Sequence, residues 1–398
     1  MVAAMSDYDA IVVGARCAGA PTAMLLARQG YRVLLVDRAT FPSDTQSTHL
    51  VHAPGVAALR RWGVLDAIVA SGCPPIERYS FDFGPITIAG TPRPSEGSST
   101  AYAPRRTVLD TVLVEAAAQA GVEVREGFTV STVVGEGGRI VGITGHGGSG
   151  SLVSERARVV IGADGRSSKV AQAVRPHEYD TKPIQQWSAY TYWSDLPAEG
   201  METIIRPHRG WAAIPTNDDL TMLVIGWPAA ESHAYRTDIE GNYLATLDMA
   251  PEFAERVRAA TRAERFRFCG VPNFYRRPFG PGWALVGDAG YCKDPITAQG
   301  ISDAFVDAEL CAAALDQAFR GELSFDAAMS DYQHARDTRT RATYGFTTQL
   351  ATLEPPPPEV LHVLGAAYGN QGAMDDFVSV VAGTLSPAIF FAPPDLAA

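Results

Sequence analysis

The stretch from Asp9 to Asp37 constrains what this chain can fold into more than any other. Asp9-Ala10-Ile11-Val12-Val13 is an apolar run with the length of a buried strand. Gly14-Ala15-Arg16-Cys17-Ala18-Gly19 has the texture of a tight turn, and Ala20 to Gln29 is helical in pattern and stopped by Gly30. Tyr31 to Val36 then reads as a second strand, ending on the acid Asp37. Strand, glycine turn, helix and strand in that order form a βαβ unit. The free N–H groups at the start of such a helix hold a diphosphate, and an acid after the second strand accepts from a ribose hydroxyl. The chain is therefore expected to bind FAD or NAD(P) close to its N-terminus, at Gly14, Arg16, Cys17, Ala18, Gly19 and Asp37.

The turn departs from the usual glycine fingerprint at its middle position, where Arg16 stands. A guanidinium beside the turn can give charge-assisted hydrogen bonds to phosphate oxygens, or it can simply face solvent. Cys17 has no CxxC partner and reads as a small packing residue rather than a redox thiol.

At 398 residues the chain is long for one simple core, which suggests two interleaved or consecutive domains. A balance of 33 basic against 44 acidic residues, net −11, argues against a nucleic-acid partner. No uninterrupted apolar run reaches the length of a membrane span. Met1 to Asp9 lacks a basic n-region and leads straight into the first strand, so it is not expected to be a signal peptide. Five scattered cysteines point to free thiols and a cytoplasmic protein. His49 and His52 stand near each other without a cysteine or carboxylate set, so no metal site is expected.

Further along, Ala53 to Ala70 reads as one helix, with Val56, Leu59, Leu65 and Ile68 as buried positions. Tyr79 to Phe83 alternates like a strand, and Gly84 to Pro104 reads as a loop or short hairpin. Arg106 to Ala120 is helical, closed by Gly121 and followed by the strand Val122-Glu123-Val124. The glycine-dense stretch from Gly135 to Gly150 reads as a hairpin. Gln186 to Trp227 turns aromatic-rich and β-like, as befits a second, substrate-facing sheet. Trp283 to Val286 is another apolar strand, Gly300 to Phe319 a helix, and the rest is helical with a proline stop at Pro355 to Pro358.

Two more glycine turns follow apolar strands: Ala163-Asp164-Gly165-Arg166-Ser167-Ser168, and Gly287-Asp288-Ala289-Gly290 running on to Asp294-Pro295. With the first turn, this ordered set resembles the class A flavoprotein monooxygenases of the para-hydroxybenzoate hydroxylase fold, together with the related geranylgeranyl reductases and flavin halogenases. The resemblance implies an α/β fold. A Rossmann-like FAD-binding domain at 1–75, 106–180 and 271–320 would be interleaved with a β-sheet substrate domain at 76–105 and 181–270, and 321–398 would form a helical C-terminal segment.

The same resemblance assigns roles. Asp164 matches a DG motif near the FAD and the approach of the nicotinamide, although a loop aspartate there can equally cap the next helix. Gly287 and Asp288 match a GD motif whose carboxylate accepts from the ribityl hydroxyls, again with a helix cap as the plain alternative. Pro295, Ala298, Gly300 and Ile301 open a helix whose N-terminus points at the flavin, and Ala298 replaces the usual glycine. Arg106 begins an RxxLD-like segment, and Arg38 would lie by the adenosine. Both could also be plain surface arginines. Around Ser47-Thr48-His49 the hydroxylases often carry an arginine that this chain lacks.

The chemistry implied is that NADPH or NADH reduces the FAD, O2 forms a C4a-hydroperoxide on it, and one oxygen passes to a phenolic or polycyclic aromatic small molecule. Tyr190, Tyr192 and Trp211 are the candidate pocket residues, with sheet core as the alternative. His49 or His52 could act as a base. The Asp294-Pro295-Ile296-Thr297 wording lies closer to the reductases, which keeps a C=C reductase as the alternative. A halogenase needs a positioned lysine, and none precedes Lys169. A non-catalytic flavin-binding or scaffold protein is disfavoured by the intact motifs.

Overall fold

The computed structural model describes residues 8–148 and 150–392. Residues 1–7, read above as the lead into the first strand, and residues 393–398 lie outside the described residues.

The first sheet runs, from one edge, Phe279–Gly280, Trp283–Leu285, Leu152–Gly162, Tyr8–Val13, Val33–Val36 and Glu123–Arg125, parallel throughout except for the short antiparallel edge strand Phe279–Gly280. Its central strands are covered on both faces, which is why they read as continuous apolar runs rather than alternating ones. Helices Gly19–Arg28, Arg106–Gln119 and Gly300–Phe319 cover one face. There Ala10 and Val12 pack with Ala23, Met24, Leu113 and Phe305. Ile11 and Val13 point the other way, as the strand's period of two requires. They meet Phe128, Val130 and Ile143 from a meander made by Thr129–Glu136, Arg139–His146 and the first half of Leu152–Gly162.

Two local expectations are corrected. The helix read from Ala53 to Ala70 is two helices, Ala53–Trp62 and Leu65–Ala70, because Gly63 takes a left-handed φ of 75° and caps the first. The glycine-dense stretch holds a turn at Gly137-Gly138 and another closed by the Gly150 N–H on the Gly147 carbonyl, so it joins a three-strand meander rather than a single hairpin.

The second sheet is mostly antiparallel. It runs Thr261–Arg262, Gln186–Ser194, Thr221–Pro228, Arg209–Pro215, Met201–Arg206, Tyr79–Asp82 and Thr87–Gly90, with Arg267–Gly270 also on Gln186–Ser194. One face, with Tyr79, Phe81, Tyr190, Tyr192 and Met222, looks toward the first sheet's motifs. The other carries Trp193, Trp211 and Trp227 and is covered by Ser232–Thr237, Ile239–Leu247 and Pro251–Ala259 through Tyr235, Tyr243 and Phe253. Nothing in the aromatic texture of the strands announced those covering helices.

The C-terminal part braces both sheets. Phe325–Leu350 lies along Gly300–Phe319, and Arg336, wholly buried, donates to the carbonyls of Gly290 and Arg276. Gln371–Val381 then docks on Thr87–Gly90, with Phe377 packed edge-on against Phe81 and Phe83. Phe377 is 5% exposed. Phe377→Ala is expected to destabilise the protein by about 3 kcal/mol through lost transfer energy and the cavity left behind, read as a lowered thermal midpoint. A midpoint within error of the parent would show that this helix does not brace the sheet.

Candidate functional site

The three glycine turns sit at the carboxyl ends of three neighbouring strands, Tyr8–Val13, Leu152–Gly162 and Trp283–Leu285. In a parallel sheet this is the edge at which ligands bind. Backbone contacts at two glycines press the turns together. Gly14 has φ 100°, and a Cβ on it would lie 2.5 Å from the Ala163 carbonyl oxygen. Gly287 has φ 59°, and a Cβ there would lie 2.8 Å from the Ala18 Cβ. No side chain fits at either point. In front of the turns lies a cavity of about 960 Å³.

Of the residues expected to hold a cofactor, Gly14, Arg16, Cys17, Ala18, Asp37, Arg38, Arg106, Asp164, Asp288, Pro295, Ala298, Gly300 and Ile301 line this cavity. Gly19 and Gly287 stand behind its wall, Gly19 because a Cβ would collide with the Gly14 carbonyl.

The first turn is built for an anion. The helix Gly19–Arg28 starts without a capping side chain, and although the Ala20 N–H is taken by the Arg16 carbonyl at 3.0 Å and Pro21 has none, the positive end of the helix faces the cavity. Asp37 accepts from the N–H of Ala15 at 2.7 Å and of Ala39 at 2.8 Å, which fixes the turn from below. Arg16 donates to Asp110 and to Ser43, and Arg106 donates to the other Asp110 oxygen at 2.8 and 3.0 Å. Asp110 is fully buried. Two guanidiniums over one carboxylate leave an excess positive charge beside the helix N-terminus, where a diphosphate is favoured. The sequence had named both arginines but not the aspartate that orients them.

At the second turn Asp164 lines the cavity and accepts from the Lys169 N–H at 2.6 Å, while Ser168 caps the following helix and the other Asp164 oxygen is buried without a partner among the described residues. Its carboxyl is raised by burial. Asp288 behaves differently. It is open to the cavity although protein surrounds it, burial raises its carboxyl, and no side chain among the described residues hydrogen-bonds it. That leaves a carboxylate whose acceptor capacity is unspent, which a helix cap would not show. Beyond it, Ala298 adopts the left-handed φ of 52° that favours glycine, and Gly300–Phe319 begins without a capping side chain. These donors and the open Asp288 fit a flavin dinucleotide. Its diphosphate would lie on the first turn, its ribityl hydroxyls on Asp288, and its ring edge toward the N–H groups of Gly300 and Ile301.

The substrate-side candidates divide. Tyr190 lines the cavity beside Ser188, Met222, Val224, Cys269 and Val271, and its hydroxyl accepts from the Ser47 N–H. Tyr192 shares that face but stands behind the wall, sharing a 2.5 Å hydrogen bond with His49 Nε2. Trp211 is a correction. It pairs with Ile225 across the sheet and packs against Phe253 on the opposite face, because odd positions of Arg209–Pro215 turn outward.

The histidines are also placed away from the cavity wall. His52 is bonded through Nδ1 to the Tyr79 hydroxyl at 2.8 Å and through Nε2 to the Thr297 carbonyl at 3.0 Å, so both nitrogens are used structurally. Burial holds its imidazole down at about 4. Burial, then the charges of Arg106, Arg105 and Arg267, holds His49 at about 3.

Sequence reasoning assigned no role to two groups in the Asp288–Gly300 segment. Lys293 lines the cavity and donates to Tyr291 and Asp303. Asp294 lines it too, 1% exposed, with Oδ1 accepting from the Gln186 amide at 2.5 Å and the Ile296 N–H at 3.0 Å. Burial pushes its carboxyl up to about 7.

Fold and site together define a flavin-dependent oxidoreductase. The chain belongs to the FAD binding domain family, whose model matches residues 7–347. It is 27% identical over 352 residues to the tryptophan 2-halogenase of Chondromyces crocatus, covering 82% of this chain but only 65%, under two thirds, of that protein. It is 28% identical over 312 residues to the 6-methylpretetramide 4-monooxygenase of Streptomyces rimosus, covering 75% of this chain and 73% of that one. Among solved structures, the myxobacterial chondrochloren halogenase shares the fold with a TM-score of 0.79 at 22% identity, covering 95% of this chain and 99% of that one.

Two outcomes follow from the geometry. Asp288→Ala removes an acceptor that no protein group uses, so FAD affinity is expected to fall about 10- to 100-fold while the thermal midpoint of the apoprotein stays put. Unchanged affinity, measured by fluorescence titration, would remove Asp288 from the ribityl contact. For His52, the folded state stays neutral down to about pH 4 while the unfolded chain takes up a proton near 6.5. Stability is therefore full above pH 6.5 and falls on acidification toward 4, by about 3 kcal/mol at most. His52→Gln is expected to flatten that part of the stability–pH curve, and an unaltered slope would refute the buried neutral imidazole.

Proposed function

We propose that this enzyme uses NADPH or NADH and O2 to hydroxylate a phenolic or polycyclic aromatic small molecule. When bound, reduced FAD would supply the two electrons that activate O2, one atom of which goes to the substrate and the other to water. The observation that carries the reading is that one continuous cavity joins the three motifs to the inner face of the second sheet. There Tyr190, Met222 and Val224 offer a flat, largely apolar wall for a planar ring.

The protein's own contributions are positional. Tyr190 holds the loop through its hydrogen bond to Ser47, so one side chain shapes the pocket and the loop together. The second sheet and Gln371–Val381, tied back by the Gln299 amide on the Val381 carbonyl, shield that side from water. A halogenase needs a lysine free to carry the halogenating agent, whereas Lys293 is taken up by Asp303 and Tyr291.

The C=C reductase is the second reading, favoured by the Asp294-Pro295-Ile296-Thr297 segment at the cavity wall. Oxygen separates the two. The hydroxylase is expected to oxidise NAD(P)H with matching O2 uptake that an aromatic substrate stimulates, whereas loss of an alkene without oxygen would establish the reductase. Tyr190→Ala is expected to raise KM for the aromatic substrate about tenfold with kcat little changed, as for a lost ring contact. An unchanged KM would move the ring-binding wall elsewhere.

A further inference from the structure

The helix Gly300–Phe319 turns its N-terminus to the cavity, with Pro295, Ala298, Gly300 and Ile301 on the wall. Its positive end suits an anion, yet its first turn carries an acid, Asp303, whose charge opposes that end. Burial works against the charge of Asp303, but Lys293 and Arg339 hold its carboxyl below the usual carboxylate range. The two cations take different oxygens. Lys293, on the cavity wall, donates to one of them and to the Tyr291 hydroxyl at 3.0 Å. Arg339, from Phe325–Leu350, donates to the other at 2.8 Å and to Asp307, one helical turn deeper, at 3.1 Å. Lys293 is the one buried residue among the three lysines Lys169, Lys182 and Lys293.

Pairing one buried carboxylate needs one cation, and Arg339 already supplies it. The second cation therefore calls for another reason, and its position gives one. The Lys293 side chain is 3% exposed against 33% for Arg339, so its charge is the less screened by water. That charge reaches into the cavity: burial raises the Asp288 carboxyl, and Arg166 and then Lys293 oppose the rise. We propose that Lys293 sets the reduction potential of the bound FAD, by offsetting Asp303 at the helix end and so favouring the ring when it carries negative charge. A hydride donor that gives up two electrons and one proton leaves one extra negative charge on the ring, and a fixed cation nearby stabilises that state over the neutral one. Lys293 acts here as a charge and makes or breaks no covalent bond. The inference rests on FAD binding and not on the substrate, so it holds for the hydroxylase and the C=C reductase alike.

The test is a spectroelectrochemical titration of the FAD-loaded enzyme, without oxygen, NAD(P)H or substrate. Lys293→Met is expected to weaken the hold on reduced FAD about 10- to 100-fold relative to oxidised FAD, a midpoint lower by about 30–60 mV for two electrons. Asp303→Asn removes the opposing anion and is expected to move the midpoint the other way. Tyr291→Phe keeps the charge and loses only a hydrogen bond, so its midpoint should stay with the parent's. A lysine that merely supports the fold would weaken oxidised and reduced FAD equally and leave the potential unchanged, which overturns the inference. A Tyr291→Phe shift as large as that of Lys293→Met overturns it as well. Should Lys293→Met fail to fold, Asp303→Asn decides alone: a raised midpoint supports the assignment, and an unmoved or lowered one refutes it.

Discussion

Everything at this site depends on how closely three backbone turns approach one another. The strands Tyr8–Val13, Leu152–Gly162 and Trp283–Leu285 are neighbours, and their turns leave the sheet within van der Waals contact at Gly14 and Gly287. A methyl group at either point would push the turns apart by an ångström or so and shift the helix N-termini behind them. The glycines matter less for flexibility than for the room they leave. They let helix ends and carboxylates distant in sequence address one cavity.

Charge is arranged on that scaffold in buried pairs. Asp110 lies under Arg16 and Arg106 at the first turn, and Asp303 and Asp307 meet Lys293 and Arg339 behind the third. Pairs this deep add little net stability, because desolvation offsets most of the attraction. Their visible effect is geometric. Asp110 and Asp303 fix cations that border the cavity, Arg16, Arg106 and Lys293, so the positive field is set before any ligand arrives, while Asp307 holds Arg339 behind the wall. The long helix Phe325–Leu350 supplies Arg336 and Arg339 to the back of the third turn, which ties the C-terminal segment to the site it does not itself line.

Local signals carried much of the architecture. The apolar runs of the parallel strands, the helix from Gly300 to Phe319 and the glycine turns were legible because each is set by neighbours in sequence. Facing was harder to read. Tyr190 and Trp211 have the same aromatic character, and only the register of Arg209–Pro215 against Thr221–Pro228 sends Trp211 outward to Phe253. The helices of Ser232–Ala259 had no periodic mark strong enough to stand out beside the aromatic strands, yet they explain why those strands are aromatic on both faces. The histidines stood out as residue types, but their partners Tyr79, Tyr192 and Thr297 come from elsewhere in the chain, and a histidine is free or spent only through such partners. Asp110 and Asp294 were invisible as site residues for the same reason, although Arg106-Thr107-Val108-Leu109-Asp110 and Asp294-Pro295 had both been noticed as motifs.

Asp288 and Asp294 show what such context does. Both lie on one short segment between a strand and a helix, and burial raises both carboxyls. Asp288 faces open cavity with the charges of Arg166, Lys293 and Arg106 near enough to favour its ionised form. Asp294 has no such cation acting on it, only neutral donors from Gln186 and Ile296. Two identical side chains are thereby raised in different settings, one with cations opposing its burial and the other with neutral donors alone. The separation is made by the second sheet. Gln186 is the group that reaches across from it to Asp294, so the interleaving of the two sheets shapes the pocket and also supplies the hydrogen bond that opposes the burial of this carboxyl.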